Sequence, residues 1–189
     1  AQSTDKETFT DKIKIRSPNF KRYEYVPYIR YHHSAFEIAG DLTMIYGIAW
    51  GMYLATQYYR IDSMSFDSMG TNMGKIRVWD GDQVLWNFII HPLSGSQLYL
   101  YYRGRAYSPF YSFALTFTSS ALFEFFIETA TESPSLNDLI ITPVIGSSIG
   151  VFLEQIAIRL LNSDQQWQHV LGRIIHPSSN FYWFENKIN

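Results

Sequence analysis

The distribution of apolar residues along the chain predicts a bundle of helices. Three stretches carry no charged residue: residues 42–59, 83–102 and 106–123. Each is long enough for a membrane span, but each also contains hydroxyl, amide or proline residues. Tyrosine and tryptophan prefer the membrane–water boundary to the hydrocarbon centre, and the mean hydropathy of the chain is only −0.11. We therefore expect soluble or membrane-surface helices in preference to true spans.

Start and stop signals divide this pattern into helices. Ser108 with Pro109, and Ser133 with Pro134, each join an N-cap residue to a proline suited to the first helical turn. Pro143 should end a short helical segment, and Pro177 should stop the last helix. The predicted helices cover residues 35–60, 83–105, 108–131, 144–162 and 164–175.

Between these helices the composition predicts loops and breaks. Residues 61–75 are rich in serine, glycine and aspartate and should form a loop. Residues 75–84 could form a short β-hairpin, although a turn whose aspartate caps the next helix is preferred. Pro92 and Gly95 should interrupt the helix that follows. The expected fold is mainly α, with an extended arm over residues 1–34 and one helical bundle-like domain over residues 35–189, and no internal repeat is evident.

The arm combines basic and aromatic residues. Residues 12–33 hold six basic residues and one acid, and prolines keep the segment extended. Such a mixture suits an anionic lipid headgroup or a protein partner. In the alternative interpretation, which is slightly preferred, the arm folds back on the acidic remainder of the chain. The candidate binding residues are Lys21, Arg22, Tyr23, Tyr25, Tyr28 and Arg30.

Composition excludes several classes of function. The 189 residues are 47% hydrophobic and 17% charged, whereas ordinary domains are roughly 25% charged. With no cysteine, a disulfide scaffold, a thiolate zinc site and a cysteine nucleophile are excluded. A net charge of −2 argues against nucleic-acid binding. The chain starts at Ala1 with small and polar residues, which predicts a removed signal peptide; a trimmed chain start is the other explanation.

The few ionisable residues in apolar surroundings are the candidates for chemistry. Glu124 and Glu128 lie four residues apart and therefore share a helix face. His91, Asp138 and Arg103 have similarly apolar neighbours. Because buried charges must be paired or protonated, we expect these five residues to form a polar cluster. A structural network is the preferred interpretation, ahead of acid–base catalysis and of a carboxylate–histidine metal site; no metal or other cofactor is assigned.

The order of motifs resembles a known bacterial family. The motifs are Trp79-Asp80-x-Asp82, Asn87-x-x-x-His91-Pro92-x-x-Gly95-Ser96-x-x-Tyr99-x-x-x-Arg103, Glu124-x-x-x-Glu128, Pro134-Ser135-x-Asn137-Asp138-x-x-x-Thr142 and Gly146-x-x-x-Gly150. Over residues 79–155 the chain is similar to an exported family, classed as a domain of unknown function, from Gram-negative envelopes. The family pattern ends with a paired glycine and with an acidic residue after the last glycine; this chain has Ile145 and Val151 there, and Glu154 follows one helical turn later. The resemblance implies an envelope location and a shared polar cluster.

Together these features predict an envelope-associated structural or interaction protein. We expect it in the periplasm, at the outer membrane in preference to the inner one, with membrane lipids or other envelope proteins as partners and no nucleic acid. The alternative is a membrane-proximal hydrolase or a metal-dependent enzyme. In the hydrolase, His91 is the general base, Glu124 or Glu128 orients it, Asp138 is a second acid–base group, and Arg103 stabilises an anionic oxygen.

Overall fold

The computed structural model describes residues 23–27, 29–30, 32–79, 84–179 and 184–187. Across these residues the protein is a mainly α single domain, as predicted. Strands β1 (Tyr23–Val26) and β2 (Phe184–Lys187) pair antiparallel, 3-10 turns cover Tyr58–Ser63 and Glu128–Ala130, and π-helical segments cover Trp86–Ile90 and Ile141–Ile145. The helices are α1 (Ala35–Thr56), α2 (Phe66–Met73), α3 (His91–Gly104), α4 (Pro109–Phe126), α5 (Leu136–Ile140), α6 (Gly146–Leu161) and α7 (Gln166–Ile175).

The start of α1 is fixed by a capping box. The Glu37 amide donates to Ser34 Oγ at 3.2 Å, and the Ser34 amide donates to Glu37 Oε2 at 2.8 Å. Arg30 Nη2 adds a contact of 2.6 Å to the same carboxylate. The hydrogen bond from the Ser34 amide, followed by that from Arg30, lowers the pKa of Glu37 to about 2. The helix therefore begins where the apolar pattern does, and it ends at Thr56, four residues before the predicted end.

One of the predicted loops contains a helix in the structure. Residues 61–75 contain helix α2, because Ser65 and Ser68 form a second capping box and do not continue a loop. Asn72 then donates to the Thr129 carbonyl at 3.0 Å. Of the possible hairpin over residues 75–84, the structure describes residues 75–79 and 84, and Arg77 makes an isolated parallel bridge to Ser135. The proposed turn residues 80–83 lie outside the described part of the chain.

Pro92 does not break its helix, contrary to prediction. It lies in the first turn of α3, directly after the π-helical segment Trp86–Ile90. The His91 amide donates to the Trp86 carbonyl, five residues earlier. A π turn is wider than an α turn, which accommodates the missing N–H and the ring of the proline. The second π-helical segment contains Pro143 and leads into α6 without a break in the same way.

Helices α3 and α6 form the closest pair in the described structure. A Cβ atom on Gly95 would lie only 1.8 Å from the Thr142 carbonyl oxygen, and one on Gly146 would lie 2.6 Å from Gly95 Cα. One on Gly150 would lie 2.7 Å from Tyr99 Cδ1. Glycine therefore allows the two backbones to touch. Because contacts advance in the same direction along both helices, α3 and α6 run parallel.

Polar side chains are buried among the helices while many large apolar side chains face outward. Phe66 is 92% exposed and Phe152 is 66% exposed. Two stretches, Pro109–Ala130 and Leu136–Leu161, are long and apolar enough to cross a membrane, although core helices of soluble proteins pass the same test. The first overlaps the predicted apolar stretch 106–123, and the second was not predicted. The buried polar side chains include Asn87, Ser96, Arg103, Glu124, Asp138, Glu154 and His176.

Candidate functional site

The structure brings His91 and Asp138 side by side at the start of α3 and in α5. His91 Nε2 lies 3.8 Å from Asp138 Oδ1, and the two side chains are 13% and 0% exposed. On the other side of the ring, Nδ1 lies 3.3 Å from Thr142 Oγ1. The 3.8 Å separation is longer than a hydrogen bond, so the contact with Asp138 is electrostatic and is attractive only when the imidazole is protonated.

Glu124 and Glu128 lie in the same cluster and contact each other. The buried Glu124 carboxylate accepts a hydrogen bond of 3.1 Å from the Ser135 amide. Ser135 also caps α5, because its Oγ accepts a bond of 3.4 Å from the Asp138 amide. Ser135 therefore links the glutamate pair to the His91–Asp138 pair. We call the four ionisable residues His91, Glu124, Glu128 and Asp138 the His91 cluster.

The environment of this cluster favours a protonated carboxyl group. Burial first, and then the charge of Glu124 and a hydrogen bond with it, raise the pKa of Glu128 well above its usual range. Glu132 and Asp138 act in the same direction. Two carboxylates that contact each other share a proton more easily than they both ionise. Glu128 can therefore donate a hydrogen bond to Glu124 at neutral pH.

Arg103 does not join the His91 cluster. It lies three helical turns further along α3, about 18 Å along the axis from His91. Its Nε contacts Glu154 Oε1 at 2.8 Å and Oε2 at 3.1 Å, and Nη1 donates to the Tyr107 carbonyl. Burial raises the pKa of Glu154, and Arg103 opposes this shift. The predicted five-residue cluster is therefore two separate polar groups, and Arg103 is held away from the proposed anionic oxygen.

Two further polar residues were missed from the sequence. Asp41 in α1 is buried and accepts hydrogen bonds from Tyr101 Oη at 2.9 Å, Tyr107 Oη at 2.8 Å and Arg105 Nε at 2.8 Å. It joins α1 to α3 and could have been found as the acid inside an apolar helix. His176 is also buried: burial, followed by the charge of Arg103, lowers its pKa to about 3. It is therefore a neutral histidine.

The described residues of the arm lie against the helical body. The Tyr25 amide donates to Asn162 Oδ1 at 2.7 Å, and Asn162 Nδ2 donates to the Tyr25 carbonyl at 2.9 Å. Tyr25 Oη accepts a bond of 3.1 Å from Arg173, and the Arg30 amide donates to the Ala106 carbonyl at 2.8 Å. Tyr23 is described only as part of β1. The other candidate binding residues, Lys21, Arg22 and Tyr28, lie outside the described residues.

The chemistry available to the His91 cluster is proton transfer and hydrogen bonding. Within the described residues, no three histidine, aspartate or glutamate side chains are arranged to hold a metal ion. The partly exposed imidazole of His91 has a carboxylate on one side and a hydroxyl group on the other. The glutamate pair behind it is enclosed.

Comparison with known proteins gives one result. Residues 76–178 match the model of a family described as a domain of unknown function, DUF3943. This match includes α3 to α7 and every residue of the His91 cluster. No curated protein and no solved structure matches the chain. Since the matched residues are more than half of its length, the chain belongs to the DUF3943 family of domains of unknown function.

Proposed function

We propose that the protein is a membrane-associated structural or interaction module of the bacterial envelope, and that its outward apolar faces contact lipid. The orientation of α7 is the observation that carries this proposal. The helix meets the body at Gly172, where a Cβ would lie 2.9 Å from Leu161 Cγ. Its apolar stripe faces away from the body and contains Trp167, Val170, Leu171 and Ile174.

This stripe has the pattern of an interfacial helix. Its residues recur at the three- and four-residue spacing of one helix face, and Val170 and Ile174 are 59% and 66% exposed. A soluble protein would turn such a stripe towards its own core, since burial of one such side chain is worth about 1.5–3 kcal/mol. Tryptophan on the apolar face and arginine on the polar face are typical of helices that lie at a membrane surface.

The α3–α6 pair supports the same proposal. Large apolar side chains are exposed on α6 and on the π-helical segment before α3, such as Phe152 and Phe88. They add to the apolar surface available for contact with lipid.

Binding of the full chain to phospholipid vesicles tests the proposal. We expect flotation with vesicles of phosphatidylethanolamine and phosphatidylglycerol, and release by detergent but not by high salt. Each of the substitutions Val170→Lys and Ile174→Lys should reduce partitioning by about tenfold, from the loss of one buried side chain. Gln166→Lys adds the same charge to the same helix beside the stripe and is the control. Equal losses for all three variants would refute lipid contact by α7.

The envelope part of the proposal rests on the motif resemblance. Fractionation of cells tests it directly, with the expected result that the protein sediments with the outer membrane. Recovery in the cytoplasmic fraction would contradict the assignment and leave the vesicle result unaffected.

A second candidate function is membrane-proximal hydrolysis. The contact of His91 with Asp138 favours it, because a carboxylate beside an imidazole stabilises the imidazolium that forms when the ring accepts a proton. If His91 is a general base, His91→Ala should slow hydrolysis of a p-nitrophenyl ester by about 10²-fold or more. A folded His91→Ala variant with an unchanged rate would remove this candidate.

A further inference from the structure

Two segments of the chain share identical residues at six equivalent positions. Residues 85–104 and 136–155 can be aligned with a constant offset and no gap. Only six of the 20 aligned positions are identical and they are scattered, so the repeat is not evident from the sequence alone. The identical pairs are Leu85 and Leu136, Ile89 and Ile140, Ile90 and Ile141, Pro92 and Pro143, Gly95 and Gly146, and Ser96 and Ser147.

The structure pairs these segments position by position. His91 contacts Thr142 at 3.3 Å and Arg103 contacts Glu154 at 2.8 Å, and in both pairs the residues are 51 positions apart. The glycine contacts between α3 and α6 follow the same offset: Gly95 meets Gly146, and Tyr99 meets Gly150. When equivalent positions of two parallel helices touch each other, a local twofold axis runs between the helices and parallel to them.

The surroundings of the two segments also correspond. Each long helix has a π-helical segment before its crossing glycine, Trp86–Ile90 in one and Ile141–Ile145 in the other. Each is followed by a short connection, residues 105–108 or 162–165, and then by a second helix. The shared unit is therefore a helix preceded by a π-helical segment, a turn and a second helix.

We infer that residues 85–126 and 136–175 are two copies of one helical unit, packed about a local twofold axis at the α3–α6 contact. Identical residues at the axis, such as Gly95 and Gly146, serve close packing in both copies. Equivalent positions that differ have become complementary: Arg103 faces Glu154, and His91 faces Thr142. Two identical units could not form these mixed pairs, so the divergence fixes one arrangement of the copies within the chain.

Cysteine cross-linking tests the parallel register that the inference requires. A Cβ on Gly150 would lie 3.1 Å from Tyr99 Cβ, which is somewhat closer than the roughly 3.5–4.5 Å of a disulfide, so a small outward shift of the helices brings the pair into range. The chain has no cysteine of its own. In the double variant Tyr99→Cys with Gly150→Cys, no other thiol can therefore form a disulfide. We expect this variant to cross-link almost completely, and the control pair Tyr99→Cys with Val151→Cys to cross-link little. More cross-linking in the control pair than in the Tyr99–Gly150 pair, or no cross-link in either pair, would overturn the inference.

Exchange of residues between the copies tests whether their positions are equivalent. The half exchange, His91→Thr with Thr142→His, moves the imidazole to position 142. If the copies are equivalent, its neighbour there is Asn87, whereas its neighbour at position 91 is Asp138. The full exchange adds Asn87→Asp and Asp138→Asn and restores the histidine–aspartate contact on the opposite side of the axis. If the copies are equivalent, the full exchange melts at a higher temperature than the half exchange.

If they are not equivalent, the full exchange buries a carboxylate at position 87 without a partner and melts at a lower temperature. Equal melting temperatures would also overturn the inference, since the restored contact would then have no effect. Where neither exchange variant folds, the cross-linking result decides.

Discussion

Replacement of Gly95 by alanine should separate the two central helices. The new Cβ would lie 1.8 Å from the Thr142 carbonyl oxygen, 2.8 Å from the Thr142 carbonyl carbon and 3.1 Å from Gly146 Cα. A carbon and an oxygen atom normally approach to about 3.3 Å. All three neighbours belong to the backbone of the facing segment, so no side-chain rotation relieves the overlap. The helices must move apart by more than an ångström.

Two opposing terms set the size of this effect. Alanine in place of glycine favours a helix by about 1 kcal/mol. Overpacking of a close contact costs about 1–3 kcal/mol and more where the neighbours cannot move. Since the neighbours here are backbone atoms, we expect the upper end of this range or above, and a net loss of about 2 kcal/mol in the free energy of unfolding. For a chain of this length that corresponds to a fall in Tm of about 4–8 °C.

The matched control is Gly47→Ala in α1. A Cβ at Gly47 meets nothing within 4 Å, so only the helix-propensity term of about 1 kcal/mol applies. Its Tm should therefore rise by about 2–4 °C. Thermal unfolding of the full chain, followed by far-ultraviolet circular dichroism, measures both changes. If Gly95→Ala melts at or above the wild-type temperature, the reasoning about the α3–α6 crossing is wrong.

Three further substitutions give separate predictions. Glu154→Ala leaves Arg103 buried without its carboxylate and should cost about 3–5 kcal/mol in chemical denaturation; Glu154→Gln, which keeps an acceptor, should cost less. Because the pKa of Glu128 is raised in the folded state, its contribution to stability is present at acidic pH and is lost as pH rises through the raised pKa. Glu128→Gln should therefore flatten the decline of stability with rising pH, and an unchanged pH profile would contradict this. Tyr25→Phe removes the acceptor of the Arg173 bond at a partly exposed site and should lower stability by no more than about 1 kcal/mol, measured by thermal unfolding.

The helices could be predicted where local signals decide them. Ser108 with Pro109 begins α4 as expected, with Ser108 Oγ accepting from the Tyr111 amide at 3.3 Å. The effect of Pro92 could not be predicted in this way. Its local preference is to end a helix, but a π turn and the contact of Gly95 with α6 maintain the helix through it. Both depend on tertiary packing, which a single stretch of sequence does not encode.

The site shows the same division between local and tertiary information. Glu124 and Glu128 could be identified because carboxylates in an apolar segment require a partner, and they contact each other although Glu128 lies in the 3-10 turn after α4. The partner of Arg103 depends on the register between α3 and α6, which the helix pattern alone leaves open. The 51-residue spacing of Arg103 and Glu154 is the signal that would have supplied the register and separated Arg103 from the His91 cluster.

The low charge content of the chain has a physical consequence for how the helices are held. A buried ion pair such as Arg103–Glu154 contributes little net stability in water, because desolvation offsets the attraction. At a lipid surface, as proposed, apolar side chains gain nothing by turning inward, since lipid is as apolar as the core. Helices are then joined by close glycine contacts and by polar pairs, and these are the two kinds of contact found between α3 and α6. The buried polar residues and the exposed apolar residues therefore have one explanation, and lipid binding by α7 is its most direct test.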